Sequence, residues 1–481
     1  MRKTQKLCGI VLVTYVVLAV LFRVCAGASF SDGLVTGSQM VTERAVVGEI
    51  LPDAPVTQTF LSPATRITEI SVLATNYGRD ISDTLEFTLR TSDGAVAAKT
   101  QLETAGLPDG SVWTAKFADC QPVQEGEQLT LEIASLLGTP GDAVSIYCGD
   151  TVSAGKFEIA AGTEQVLTVG GNPLAGTLCF QPKGITHYPL ADWYWPTIAC
   201  GLLVLLLLCF SVLRCERKNK PHFLLSLIHA FARYWFLLRQ LVSRDFKTKY
   251  KRSVLGVLWS FMNPLLTMFV MYIVFSTLFR SSIDNFPAYL LTGIVFWNFF
   301  SETTNTCLSS ITGNTALITK VYVPKYMYPL SRSVSCMVNL AMSLIPLVGV
   351  LLLTHDLPTR SWALIWFPLV CLFLFSVGMG LLLAAAMVFF RDIQFLWSVI
   401  SMLWMYLTPI FYDASIIPEQ YLTLYKMNPL FHIIRIARVL LIDGVSPEPR
   451  AYLFCIIATV IPLIFGVAIF KKTQDRFVLY L

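Results

Sequence analysis

Two rows of aromatic residues carry the strongest chemical suggestion in this sequence. Trp397, Ser401, Trp404, Thr408 and Phe411 recur at intervals of four, three, four and three. Phe261, Leu265, Met268, Tyr272, Phe275 and Phe279 recur at four, three, four, three and four. Each set falls on one face of a helix. Aromatic faces offer a surface on which sugar rings can slide without any one ring being held tightly. Ordinary helix packing, with aromatic belts at the membrane interfaces, is the competing reading. Catalysis is not suggested. No Gly-x-x-x-x-Gly-Lys-Ser/Thr loop occurs, so the chain has no Walker-type phosphate cradle. The twelve cysteines show neither Cys-x-x-Cys nor Cys/His metal spacing, so no metal is expected. Carboxylates inside a membrane mark ion pathways, and only Glu302 lies well inside an apolar segment.

The elements that hold these rows are membrane spans. The 481 residues are 55% hydrophobic and 14% charged, against about 25% charged in soluble domains. A transmembrane helix needs about 20 mostly apolar residues. Leu7–Phe22 is one short run. No charge occurs between Asp192 and Arg214, Arg252 and Arg280, Arg332 and Asp356, Arg360 and Arg391, Asp392 and Asp413, or Arg450 and Lys471. A further span through Phe286–Ser309 brings the expected number to eight. The first is an anchor or, given the small residues Ala26-Gly27-Ala28, a signal sequence. Segments 1–6, 214–252, 310–332, 391–392 and 471–481 carry 21 Lys and Arg, against six in the short opposite loops. The positive-inside rule then places them, and both termini, in the cytoplasm.

Residues 27–191 are different. They hold nineteen acidic and eight basic residues, inside a chain whose net charge is +5. Period-two alternation through Ile70–Ala74, Leu85–Leu89, Trp113–Phe117 and Leu129–Ile133 reads as half-buried strands. Turn signals separate them at Asp93-Gly94, Pro108-Asp109-Gly110, Glu125-Gly126, Pro140-Gly141-Asp142 and Gly170-Gly171-Asn172-Pro173. This predicts an extracytoplasmic all-β sandwich, plausibly a jelly roll. It loosely resembles carbohydrate-binding jelly rolls, and Tyr77, Trp113 and Tyr147 are the candidate sugar-stacking residues, with core positions as the alternative. Cys120, Cys148 and Cys179 allow at most one disulfide here.

Within the basic segment 215–252, Phe231, Trp235, Leu238, Val242 and Phe246 form one helical stripe, with Arg233, Gln240, Arg244, Lys247 and Lys251 opposite. This is the pattern of a helix lying in the membrane surface. The segment Leu241-Val242-Ser243-Arg244-Asp245-Phe246-Lys247, then Tyr250 through Gly256, Trp259 and Asn263-Pro264-Leu265, resembles the opening of ABC-2 type permeases of O-antigen, capsule and teichoic-acid exporters. Further matches follow in order: Asn314 to Lys320-Val321 with Pro324-Lys325, Pro409-Ile410-Phe411-Tyr412, and Asn428-Pro429-Leu430 with Arg435. The resemblance covers about residues 229–481.

The resemblance implies a six-span permease core at 253–481. The interfacial helix would carry Trp235, Arg244, Asp245 and Lys247. A channel would be lined by both aromatic rows, with 413–450 capping its outer mouth as a helical pair. A coupling segment would carry Asn314, Leu317, Ile318, Lys320, Val321 and Pro324. It also implies a separate ATPase subunit that uses ATP and Mg, a permease homodimer, a lipid-linked glycan as substrate, and the cytoplasmic membrane of a bacterium as location. This chain itself would be neither an enzyme nor a nucleic-acid binder, and would hold no cofactor. The anchor (1–26), the β domain (27–191) and a second span (192–214) lie outside the usual family pattern. Competing readings are a lipid or small-molecule exporter, a membrane glycosyltransferase, and a membrane-anchored glycan sensor.

Overall fold

In the computed structural model the chain divides into two compact units, Ser31–Pro189 and Met1–Phe30 with Leu190–Leu481. The structure describes all residues except 1, 38–44, 150–166, 175, 218–222, 252–254, 278–284, 321–322, 355–357, 414–416 and 481.

The first unit is a β-sandwich. Its strands are β1 (Asp32–Thr36), β2 (Ala45–Val46), β3 (Val56–Leu61), β4 (Arg66–Thr75), β5 (Thr84–Thr91), β6 (Val96–Glu103), β7 (Ser111–Lys116), β8 (Gln128–Ser135), β9 (Ser145–Gly149), β10 (Leu167–Val169), β11 (Asn172–Leu174), β12 (Thr177–Leu178) and β13 (Phe180–His187). One sheet runs β1-β13-β4-β9-β12, with β2 on β9 and β7 on β4; the other runs β11-β10-β3-β8-β5-β6. Neighbouring strands are antiparallel. The alternation read in the sequence is the alternation of burial: Ile70, Val72, Leu85, Phe87, Leu89, Leu131 and Ile133 are all fully buried in a core shared by both sheets. No disulfide joins the cysteines. Register explains why. Leu178 stands opposite Cys148 and so shares its face, which puts Cys179 on the other side of the sheet beside Leu73.

The second unit is helical. It comprises α1 (Arg2–Ala26), α2 (Pro189–Asp192), α3 (Tyr194–Arg217), α4 (Phe223–Tyr250), α5 (Trp259–Thr277), α6 (Phe286–Leu308), α7 (Thr315–Ile318), α8 (Met327–Leu353), α9 (Trp366–Phe389), α10 (Ile393–Leu407), α11 (Glu419–Lys426), α12 (Pro429–Arg438), α13 (Pro449–Thr473) and α14 (Phe477–Tyr480). Among the described residues, six helical segments are long and apolar enough to cross a membrane: Thr4–Ala26, Tyr194–Arg217, Gly256–Ser276, Met327–Leu353, Arg360–Phe389 and Pro449–Tyr480. Two of the eight expected spans depart from that standard. The 23-residue α6 is polar in its last third, Ser301 through Thr306, yet most of its side chains are buried by the bundle. The apolar run from 393 does not continue as one helix. The 15-residue α10 ends where Thr408 turns extended (ψ 126°) before Pro409, because proline supplies no N–H and biases its predecessor away from helix. At 1.5 Å per residue α10 reaches only about 22 Å, short of the ~30 Å hydrocarbon core.

The core sits between α6, α8, α9 and α12. α9 and α13 cross at glycines. A methyl on Gly466 would lie 2.1 Å from the Gly378 carbonyl oxygen, so the backbones touch where side chains would not fit. The two helices beyond the family-like core are integral to it. Tyr194 donates to the Ala19 carbonyl at 2.7 Å, tying α3 to α1. Phe22 and Phe30 then pack on Tyr452 of α13, and Tyr194 packs on both phenylalanines.

Candidate functional site

The site is built where α10 ends. Asn428 caps α12, its Oδ1 accepting from the Leu430 N–H at 3.1 Å. The same oxygen accepts from the Trp404 indole at 2.8 Å, and the Asn428 amide donates to Thr408 Oγ1 at 2.9 Å. One side chain thus fastens the end of α10 to the start of α12. Beside this node lies a groove of about 440 Å³, lined by Ile400, Leu403, Trp404, Leu407, Tyr425, Met427, Asn428 and Pro429. Its wall is mostly apolar, and its polar side chains are the capping Asn428, the Trp404 indole and Tyr425.

The row expected to line a channel from α10 faces inward. Trp397 is 4% exposed, Ser401, Thr408 and Phe411 are buried, and Trp404 is half-buried. Trp397 and Trp404 pack on each other and on Phe300 of α6, and Trp404 also meets Phe375 of α9. Within one chain this row is packing, and only Trp404 also touches the groove. The open face of α10 carries Phe395, Leu396, Val399, Ile400, Met402, Leu403 and Tyr406. The α5 row divides similarly. Phe275 stacks on Phe411 at 5.7 Å, Phe261 is half-buried, and Tyr272 stays 38% exposed with its ring tilted against Phe286. Phe279 lies outside the described residues. The helical pair expected in 413–450 is present as α11 and α12.

A second polar assembly joins α4 to the bundle. Leu238 and Leu241 are buried, Trp235 is 59% exposed, and Lys247 is exposed on the far side. Asp245, 9% exposed, pairs with Arg244 on its own helix and with Arg332 of α8, both at 3.1 Å. Lys249 pairs with Glu302 at 2.6 Å, and Asn339 donates to the same carboxylate oxygen at 2.8 Å. Arg244 also reaches Asn314 at 3.4 Å. Asn314 is buried, its amide donating to the Ser310 carbonyl. Glu302 was legible as an isolated carboxylate in an apolar segment. Its partners were not, because nothing in local spacing brings residue 249 to 302 or 339. The signal available was Asn339, an amide within a charge-free span.

Leu317 and Ile318 of α7 are half-buried against a small core of α9, α13 and α14 that includes Val388, Phe470 and Phe477. Lys320 is exposed, and Pro324 accepts from the Met327 N–H. Val321 lies outside the described residues. Lys325 donates to the Gln474 carbonyl and lies over the Phe477 ring, so this segment and the C-terminal tail form one surface.

In the β unit, Trp113 is corrected to a core residue. It is 1% exposed and donates its indole N–H to the Pro108 carbonyl, leaving no face for a sugar. Tyr147 packs against Leu73 and Cys179. Tyr77 remains 38% exposed, with the Arg79 guanidinium 5.2 Å from its ring centre. Among the described residues no cluster of His, Cys, Asp and Glu could hold a metal ion.

Comparison with known proteins bears on the helical unit. Residues 237–442 match the ABC-2 type transporter family. An O-antigen export system permease protein RfbA of Klebsiella pneumoniae is 33% identical over 248 residues, 50% of this chain and 93% of that protein. RfbA of Myxococcus xanthus is 30% identical over 258 residues, 53% of this chain and 98% of that protein. The polysialic acid transport protein KpsM of Escherichia coli is 20% identical over 235 residues, covering 48% and 91%. The family match leaves out the β unit and takes in the groove, the α4 ion pairs and α7, and more than nine-tenths of each of these relatives is matched: the chain belongs to the ABC-2 type transporter family, as a permease.

Proposed function

We propose that this chain is the membrane subunit of a polysaccharide exporter, moving a lipid-linked glycan out of a bacterial cytoplasm, in two copies driven by a separate ATPase. The observation that carries the reading is the half-built groove beside Trp404 and Asn428. It lies between the end of α10 and the turn from α11 to α12, and shares Ile400 and Leu403 with the exposed apolar and aromatic face of α10. A second copy set across that face would enclose a path between them. The names of the relatives supply the cargo class. The absence of a phosphate-binding loop in the sequence supports giving ATP and Mg to the partner in this reading. The bias of Lys and Arg puts α4 and α7 on the cytoplasmic side and the β unit outside.

The ATPase would dock on α7 and the adjoining tail. Leu317 and Ile318 are half-exposed apolar residues beside the exposed Lys320, and Val478, Leu479 and Tyr480 of the tail are more than half exposed. Charges placed into such a contact are costly when buried unpaired, several kcal/mol each. Leu317→Asp with Ile318→Asp is expected to reach the membrane at normal level and lose both ATPase co-purification and export. Co-purification at wild-type yield with continued export would overturn the assignment of this surface. ATP hydrolysis by the pure chain in lipid would overturn the division of labour.

A further inference from the structure

A second arginine in α12, away from the family motif noted in the sequence, is the least expected charge in the helical unit. Arg438 is 8% exposed. Its guanidinium stacks 3.3 Å from the centre of the Tyr289 ring. Its N–H groups donate to backbone carbonyls on two elements: Tyr289 on α6 at 3.1 and 3.3 Å, Pro409 at 2.7 Å and Ile410 at 3.0 Å. Asp413 acts on it electrostatically. Space for the head group is made by Gly293, where a methyl would stand 2.8 Å from Arg438 Nη2 and 2.9 Å from Ile410 Cγ2.

Two of the carbonyls it takes, those of Pro409 and Ile410, belong to the break that ends α10. There the chain leaves the helix, and Pro409 and Ile410 lie buried with no following turn to satisfy them. Unsatisfied carbonyls at membrane depth are costly, and non-helical backbone persists there only when protein covers it or a cavity wets it. The Tyr289 hydroxyl takes a carbonyl two residues further on, donating to Tyr412 at 2.8 Å. The segment Thr408–Tyr412 is thus a strap pinned by two side chains, and it is the same strap that Asn428 fastens at the groove.

We propose that Arg438 is a positioning residue for transport: it holds the 408–412 strap shut across the end of α10, and the strap must slip from the guanidinium for cargo to pass. Carbonyl hydrogen bonds suit this role. A carbonyl that leaves a charged donor can be replaced by water in an opening path, and the ring of Tyr289 keeps the cation in place meanwhile. The proposal rests on the exporter reading for its cargo, but its closed state is testable on this chain alone.

The test uses Ile410→Cys, since Ile410 is 1% exposed, and a water-soluble maleimide on the full chain in lipid nanodiscs. Labelling at position 410 is read by peptide mass spectrometry. In the resting chain this cysteine should be protected. Adding Arg438→Met should raise labelling about tenfold or more, since the Pro409 and Ile410 carbonyls then lose their donors and the shut strap its advantage over the open one. Arg438→Lys, a point charge that cannot fork, should fall between. In the chain assembled with its ATPase and otherwise wild type, ATP turnover should raise labelling as well. Unchanged labelling in a normally inserted Arg438→Met chain overturns the proposal. If that variant is lost from the membrane, Arg438→Lys decides, with wild-type protection counting against. No rise during turnover in an ATP-hydrolysing complex also overturns it. Failure of the wild-type complex to move polysaccharide, with the labelling pattern intact, would sink the cargo assignment and leave the latch standing.

Discussion

The turns of the sandwich and the helix crossings of the membrane unit use glycine for different ends. In the sandwich turns, Gly94, Gly126 and Gly141 serve backbone geometry, at φ of 82–87° with nothing near enough to meet a side chain. In the helical unit, Gly293, Gly378 and Gly466 serve space, each holding a helix against a group that a methyl would strike. Charges divide likewise. Ion pairs of the sandwich, such as Lys99 with Glu86 and Arg90 with Glu132, lie at the surface with a partly exposed partner, where each is worth about 0–1 kcal/mol. In the helical unit two buried charges tie elements together, Asp245 through its ion pair with Arg332 and Arg438 through the carbonyls of the strap, while Lys249 and Glu302 pair with both side chains partly exposed. A soluble sheet can leave a charge to water. A helix in lipid must give it a partner, so the few charges it keeps are joints.

The largest expected effect tests whether the α10 aromatics are joints of that kind or the wall of a path. Trp397→Ala empties a site packed against Phe300 and Trp404. Large-to-small changes of this kind cost about 3–5 kcal/mol. We expect a lower unfolding temperature and less protein in the membrane. Leu403→Ser, on the open face at 58% exposure, should leave stability within about 0.5 kcal/mol and reduce export. The reverse pattern, a stable Trp397→Ala chain with impaired export, would return the inward row to the path.

This contrast also marks what the sequence could reveal. Strands β4, β5, β7 and β8 were legible because one-sided burial in a sheet leaves period two, and their turns because Asp-Gly and Pro-Gly pairs have conformational reasons to be there. The helical rows were legible as rows. Their direction was not. In water an apolar row means the interior; in lipid both faces of α10 are apolar, so Trp397 and Leu403 could not be ranked by composition. Trp113 erred the other way, its period-two position being equally suited to core or platform. Asn428 was legible as part of an Asn-Pro breaker, but its three hydrogen bonds depend on α10 ending at Thr408. Glu302 and Arg438 depend on partners 53 and 149 residues away.

An intermediate effect separates the two uses of glycine. Gly466→Ala drives a methyl into the Gly378 backbone, which cannot rotate away. Overpacking of this kind costs about 1–3 kcal/mol, and α9 and α13 must part to relieve it. Gly94→Ala meets no atom within 4 Å and costs about 1 kcal/mol of backbone strain alone. Thermal unfolding of the full chain in nanodiscs reads the first, and unfolding of isolated residues 31–189 reads the second. Pairing Gly466→Ala with Gly378→Ala should not restore stability, since the obstacle is backbone. Recovery would mean that the crossing is held by side chains instead.

The smallest effect is confined to the sandwich and to acid. Thr75 donates its hydroxyl to Asp109 Oδ1 at 2.6 Å, and the Asn76 N–H donates to the same oxygen at 2.9 Å. The Thr75 hydrogen bond is the main cause holding the Asp109 carboxyl below the ordinary carboxylate range. A carboxylate depressed on folding adds stability above its unfolded pKa of about 3.9 and loses it as pH falls through the lower folded value. Glu86, lowered chiefly by its hydrogen bond from Lys99, acts in the same direction. Isolated residues 31–189, which carry their own two-sheet core, should therefore fold alone and unfold at lower temperature at pH 2.5 than at pH 6. Asp109→Asn should lower the unfolding temperature slightly at pH 6. That gap should begin to shrink below about pH 4 and close only once pH has fallen through the lower folded value, where wild-type Asp109 takes up its proton and the two proteins become alike. A gap of constant size across that range would mean that Asp109 acts through shape and not through charge. Should the isolated unit fail to fold at either pH, its independence from the membrane helices would be the claim that falls.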